Sequence, residues 1–121
     1  MTRNYKKIMI ADDDPGIVDA IGMLLEFEGY KVISTVDGST VLDMENELPD
    51  LLLLDIRMSG EDGREICKKL KQFESTKNIP IIMVSASLDI RESALAAGAD
   101  DFLAKPFEMN DLLTKIQNLT K

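Results

Sequence analysis

Asp12, Asp13 and Asp14 stand side by side in this chain, and three other groups able to do chemistry, Asp55, Ser85 and Lys105, each follow a short apolar run. Adjacent carboxylates repel: two unit charges about 4 Å apart interact by roughly 4 kcal/mol at an effective dielectric of about 20. If these groups share one site, a cation must offset that repulsion, and Lys105 and a bound divalent ion are the candidates. A set of carboxylate oxygens completed by a main-chain carbonyl and waters suits Mg²⁺, which prefers octahedral oxygen sites and keeps part of its hydration shell. A carboxylate beside such an ion can act as a nucleophile toward phosphorus and form an aspartyl phosphate. Charge developing on the phosphoryl oxygens would then meet the metal, Lys105 and the Ser85 hydroxyl.

The elements that must position these residues are legible in the hydrophobic pattern, which alternates between short continuous runs and helical spacing. Ile8 to Ala11 reads as a buried strand. Asp14 caps a helix with Pro15 at its first position, where a missing N–H costs nothing. Ile17, Val18, Ile21, Leu24 and Leu25 give that helix one apolar face, and Gly29 closes it. Tyr30 to Thr35 is a second strand, and Val41, Leu42 and Leu48 suggest a shorter helix ended by Pro49. Leu51 to Leu54 is a third strand, apolar on both faces as a central parallel strand must be. A stripe of Ile66, Cys67, Leu70 and Phe73 follows, then a fourth strand over Ile81 to Val84. A helix from about Asp89 to Ala97 ends at Gly98, Phe102 to Ala104 is a fifth strand, and Leu112, Leu113, Ile116 and Leu119 mark the last helix.

Five strand-then-helix units imply an α/β fold, a doubly wound five-stranded parallel sheet with five helices on both faces. Ligands of such sheets bind beyond the carboxyl ends of the strands, near the point where strand order reverses. With the flavodoxin-like order 2-1-3-4-5, which is taken from the fold type and not fixed by the sequence, strands one, three, four and five are neighbours. Asp12, Asp13, Asp55, Ser85 and Lys105 then converge on one rim, while the edge strand ends in Ser34 and Thr35.

Composition narrows the function. A length of 121 residues is one domain's worth, taken as residues 1–121, and an apolar fraction of 45% is that of a folded domain. The net charge of −8 gives no footprint for nucleic acid or an anionic membrane. The absence of histidine excludes a phosphohistidine carrier, a His-dependent triad or an imidazole metal site within this chain. The lone Cys67 lies on an apolar helical stripe and reads as a core residue, which fits a reducing compartment. No apolar run has membrane-spanning length and the start lacks a signal peptide's apolar stretch, so a cytoplasmic location is expected. Asp100 and Asp101 precede the fifth strand and read as solvated turn residues.

Four blocks resemble the signature of response-regulator receiver domains: Ile10-Ala11-Asp12-Asp13-Asp14-Pro15, Leu53-Leu54-Asp55-Ile56-Arg57-Met58-Ser59-Gly60, Pro80 to Ala86, and Gly98 to Phe107. They occur in order and at family spacing over nearly the whole chain. The resemblance implies that Asp55 is the phosphoacceptor and that Mg²⁺ is the cofactor. It implies metal binding by Asp13 directly and by Asp12 largely through water, with Asp55 and the Arg57 backbone carbonyl completing the protein's ligands. Lys105 would bind phosphate, Ser85 would be the switch hydroxyl, Phe102 the switch aromatic, and the bond before Pro106 would be cis. Four positions depart from the family's commoner residues: Ser59 for proline, Ser85 for threonine, Phe102 for tyrosine, and a long cation at Arg57. None removes a required functional group.

The expected function is thus a stand-alone, phosphorylation-dependent switch of a two-component system or phosphorelay, catalysing only its own phosphorylation and dephosphorylation. Its partners would be a sensor histidine kinase or histidine phosphotransfer protein upstream and a protein target downstream. Neither nucleic acid nor membrane binding is expected, and the chain would be a monomer or a phosphorylation-dependent homodimer. One rival is a metal-dependent phosphatase with an aspartate nucleophile, but the second acid usual two residues after that nucleophile is here Arg57. A nucleotide or flavin binder would want a Gly- or Ser/Thr-rich loop after the first strand, where this chain is acidic. An unphosphorylated docking module would not need intact Asp12, Asp13, Asp55, Ser85 and Lys105.

Overall fold

The computed structural model describes residues 6–37, 41, 48–58, 60–87 and 90–120. Strands β1 (Lys7–Ala11), β2 (Lys31–Thr35), β3 (Leu51–Asp55), β4 (Arg57–Met58), β5 (Glu61–Asp62), β6 (Ile81–Ser85) and β7 (Asp101–Ala104) alternate with helices α1 (Pro15–Phe27), α2 (Gly63–Gln72), α3 (Arg91–Ala96) and α4 (Met109–Leu119). The five longer strands form one parallel sheet in the order β2-β1-β3-β6-β7. Setting aside the two-residue antiparallel pair β4–β5, this is the expected 2-1-3-4-5 order of a flavodoxin-like fold.

The alternation of strand side chains builds two cores, one on each face of the sheet. Ile8, Ile10, Leu51, Leu53, Ile82, Val84 and Leu103 pack with Val18, Ile21 and Leu25 of α1 and Leu112 and Ile116 of α4. Met9, Ala11, Leu52, Leu54, Ile81, Met83 and Phe102 pack with Ile66, Cys67 and Leu70 of α2 and Ala94 of α3. All four leucines of β3 are buried, and each such side chain contributes about 1.5–3 kcal/mol. That apolar investment fixes the backbone at whose end Asp55 sits.

Several boundaries differ from the pattern-based expectations. Four helices are present among the described residues. Of the expected second helix, Val41 is helical and buried and Leu48 is partly exposed, while Leu42 lies outside the described residues. Leu24 is half exposed, so the buried face of α1 is narrower than its apolar stripe. Phe73 belongs to no helical face: α2 ends at Gln72, and Phe73 follows in extended conformation, exposed. The expected fourth helix, α3, begins at Arg91, directly after Ile90 in 3₁₀ conformation, and Asp89 lies outside the described residues, as does Ser59.

The expected caps are in place. Asp14 Oδ1 accepts from the backbone N–H groups of Gly16 and Ile17 at 3.0 and 3.4 Å. Gly29, at φ +97°, lets the chain leave α1, its N–H donating to Glu26 O and that of Tyr30 to Leu25 O.

Candidate functional site

The carboxyl ends of β1, β3, β6 and β7 bring the chemically capable residues to one rim. Asp12 follows β1, and its N–H donates to Thr35 O at 3.1 Å, extending the ladder one residue past the strand. Asp55 and Ser85 are the last residues of β3 and β6, and Lys105 follows β7. The N–H of Ile56 donates to Val84 O at 3.0 Å and that of Lys105 to Ser85 O at 2.8 Å, so the rim continues the sheet's own hydrogen bonding. The Lys105–Pro106 bond is cis.

Asp12 and Asp55 are buried, 4% and 7% exposed, while Asp13 is exposed. One carboxylate oxygen from each lies within 4.8 Å of the other two. Lys105 Nζ donates to Asp12 Oδ2 at 3.0 Å and lies 3.5 Å from Asp55 Oδ2. Asp12 Oδ1 accepts from the Asp14 N–H at 3.0 Å, and Ser85 Oγ accepts from the Ser87 N–H at 3.1 Å. Three carboxylates against one ammonium leave the cluster with two uncompensated negative charges, and its all-oxygen donor set fits a divalent hard cation.

Burial pushes the Asp55 carboxyl up from its ordinary 3.8 to about 6, and the Asp12 charge pushes the same way, while Lys105 and the Arg57 backbone pull it down in part. For Lys105, burial works against the charge, but the hydrogen bond to Asp12 and the charges of Asp55 and Asp12 outweigh it and hold the ammonium protonated. Asp55 and Lys105 open onto a cleft of about 530 Å³ lined also by Asp13, Ile56, Arg57, Ser85, Ala86, Ser87 and Ile90. Arg57 opens β4, paired with Asp62, and its side chain is exposed.

Phe102, the other expected switch residue, is buried on β7 in register with Met83, two residues before Ser85 on β6. It packs in the same apolar cluster as Ala94 and Ala97.

A family model for the response regulator receiver domain matches residues 8–117. The chain belongs to this family. The receiver domain is 36% identical over 118 residues to the DNA-binding dual master transcriptional regulator RpaA of Synechocystis, covering 95% of this chain and 49% of that protein. It is 38% identical over 119 residues to the response regulator PleD of Caulobacter vibrioides, covering 95% of this chain and 26% of PleD. Half or less of either relative is therefore spanned. Among solved structures it superposes on the receiver domain of the Pseudomonas aeruginosa sensor histidine kinase PA1611 with a TM-score of 0.88 at 30% identity, over 97% of this chain and 98% of that one. A CheY-like receiver domain protein of Methanospirillum hungatei superposes with a TM-score of 0.86 at 36% identity, over 95% and 93% of the two chains. Among the described residues of the receiver domain, no helix is long and apolar enough to cross a membrane.

Sequence reasoning misread or missed four residues around the site and its supports. Asp100 is exposed at a bend as expected, yet its Oδ2 accepts from Ile81 N–H at 2.8 Å and Lys71 Nζ at 3.0 Å, tethering the start of β6. Asp101 opens β7 and pairs with Lys115 of α4 at 3.0 Å. Neither is a free turn residue. Asp62 caps α2, and the capping signature Asp62-Gly63-Arg64-Glu65 was available in the sequence to find it. Gly63 has a tighter constraint: a Cβ there would fall on the Asp55 carbonyl oxygen and 2.9 Å from Ile56 Cα. Only glycine lets α2 start directly beneath the end of β3.

Proposed function

We propose that this receiver domain is a phosphorylation-dependent switch in which Asp55 accepts a phosphoryl group from a phosphohistidine donor, on a sensor histidine kinase or a histidine phosphotransfer protein. The observation that carries the reading is the buried Asp55 carboxylate with oxygens of Asp12 and Asp13 within 4.8 Å and the Lys105 ammonium at 3.5 Å. A carboxylate ending an all-leucine strand is a costly placement for the fold alone.

The Asp55 carboxylate, largely ionised above about pH 6, supplies the nucleophilic oxygen. A new O–P bond forms as the P–N bond to the donor imidazole breaks, the imidazole nitrogen keeping the electron pair. Lys105 and the Ser85 hydroxyl stand where negative charge gathers on the phosphoryl oxygens. Asp13, Asp55 and the Arg57 carbonyl, with Asp12 through water, are the groups that would hold Mg²⁺, which when bound supplies charge neutralisation for those oxygens. The magnesium ion coordinated in the active-site cleft of the related PA1611 receiver domain supports that choice of cation.

Readout follows from Ser85 and Phe102. When the Ser85 hydroxyl turns to a phosphoryl oxygen it leaves the Ser87 N–H, and Phe102 moves into the space vacated. That motion reshapes the surface of α3, β7 and α4, where a downstream protein or a second copy would bind in the cytoplasm.

The test is direct. Incubated with acetyl phosphate and Mg²⁺, the protein is expected to gain the mass of one phosphoryl group, and Asp55→Asn to gain none. Equal modification of Asp55→Asn would contradict the assignment.

A further inference from the structure

Arg64, directly after Gly63, makes a connection that the phosphoacceptor chemistry does not call for. Its Nε donates to Asp62 Oδ1 and Oδ2 at 3.0 and 3.1 Å, and its Nη2 to Asp62 Oδ2 at 2.6 Å. That fork leaves Nη1, which donates to Ser93 Oγ on α3 at 3.0 Å. Ser93 Oγ in turn donates its one proton to Ile90 O at 3.0 Å. The donors and acceptors run in one direction, and the hydroxyl's one proton is used within this chain of bonds. Both ends touch the site. Asp62 pairs with Arg57 in the β4–β5 ladder immediately beyond Asp55, and Ile90 lines the cleft with Asp55, Ser85 and Lys105.

We propose that Arg64 is a positioning residue for phosphoryl uptake: by bridging Asp62 and Ser93 it holds the Ile90–Ser93 wall of the cleft in place, and activation must break that bridge to move the wall. The inference rests on the reading of Asp55 as phosphoacceptor. Ala94, next to Ser93, packs in the apolar cluster that holds Phe102, so a wall held by Arg64 also resists movement of the switch aromatic. A bond present in one state and lost in the other shifts the equilibrium by its differential worth alone. Arg64 adds that difference against the activated state.

The probe is beryllofluoride with Mg²⁺, a mimic of the phosphoryl group, titrated by amide NMR or fluorine NMR. Arg64→Leu keeps the apolar stem and removes the bridge, while Ser93→Ala removes its far end. Each is expected to bind beryllofluoride about fivefold more tightly than the unmodified protein, the effect of losing one partly exposed hydrogen bond of ordinary strength from one state. The double variant is expected to gain no more than either single one, because both changes cut the same path. Arg64→Lys keeps a charge beside Asp62 but cannot reach both partners with a fork, and is expected to behave as Arg64→Leu. A merely structural bridge would give the opposite sign, lower stability with weaker or unchanged uptake. Unchanged or weaker beryllofluoride affinity in Arg64→Leu and Ser93→Ala, with normal binding by the unmodified protein, overturns the inference alone. No binding by the unmodified protein overturns it together with the phosphoacceptor reading.

Discussion

The Asp55 carboxyl carries an electrostatic cost that can be measured without any phosphate. Burial first, then the Asp12 charge, raises its pKa from 3.8 to about 6, against the partial relief from Lys105. Between those values the folded protein holds a proton that the unfolded chain has released, so stability falls as pH rises through the window. The contribution is fully present below about pH 4 and lost above about pH 6. A lift of about two units corresponds to roughly 3 kcal/mol at most. Asp55→Asn removes the charge and keeps the shape. In metal-free buffer at pH 7.5 it is expected to stabilise the fold by about 1–3 kcal/mol in urea unfolding, and to lose that advantage near pH 4. Equal stability of the two proteins at pH 7.5 would contradict the burial argument. At this scale the sequence was most legible where polar groups end apolar runs, as at Asp55, Ser85 and Lys105. It was least legible at Asp100, whose partners Ile81 and Lys71 come from distant parts of the chain and leave no local signature.

Elements were legible in kind and less so in extent. The five strands announced themselves through short apolar runs, but β3 and β6 each extend one residue further than those runs. That extra residue is Asp55 in one and Ser85 in the other, because ladder hydrogen bonds depend on the neighbouring strand and not on side-chain polarity. Phe73 fell outside α2 for a related reason: helical spacing continues past the point where the backbone leaves the helix. The β4–β5 pair was not foreseen, since two residues carry no periodicity. It matters because it returns the chain beneath Asp55 and places Gly63 against that carbonyl. Gly63→Ala must move backbone and not a flexible side chain, so a loss of about 2–4 kcal/mol is expected in urea unfolding, with phosphoryl uptake reduced as the end of β3 shifts. Gly60→Ala, at φ +86° with open space around it, serves as comparison for a purely conformational penalty, about 1 kcal/mol. A Gly63→Ala protein as stable as the Gly60→Ala variant would show that α2 tolerates displacement from β3.

For the whole molecule, net charge and topology act together. A chain of net charge −8 places three carboxylates at the rim where the five parallel strands end, and folds around that repulsion with Lys105 as its internal cation. Mg²⁺ that binds only the folded state is expected to stabilise it by about 2.7 kcal/mol at a hundredfold excess over its dissociation constant. Asp13→Ala should lose most of that increment, and a full Mg²⁺ response in Asp13→Ala would place the ion elsewhere. The sequence could not set strand order, because parallel pairing joins segments far apart in the chain; the order β2-β1-β3-β6-β7 is what turns scattered residues into one site. The central claim is that this site makes an acyl phosphate at Asp55. Its most direct test is borohydride reduction of the protein after phosphorylation, which converts an aspartyl phosphate to homoserine, followed by peptide sequencing in a mass spectrometer. Homoserine at position 55 and at no other aspartate is the expected result. Homoserine at Asp12 or Asp13, or none in a protein that has gained phosphate, would contradict it.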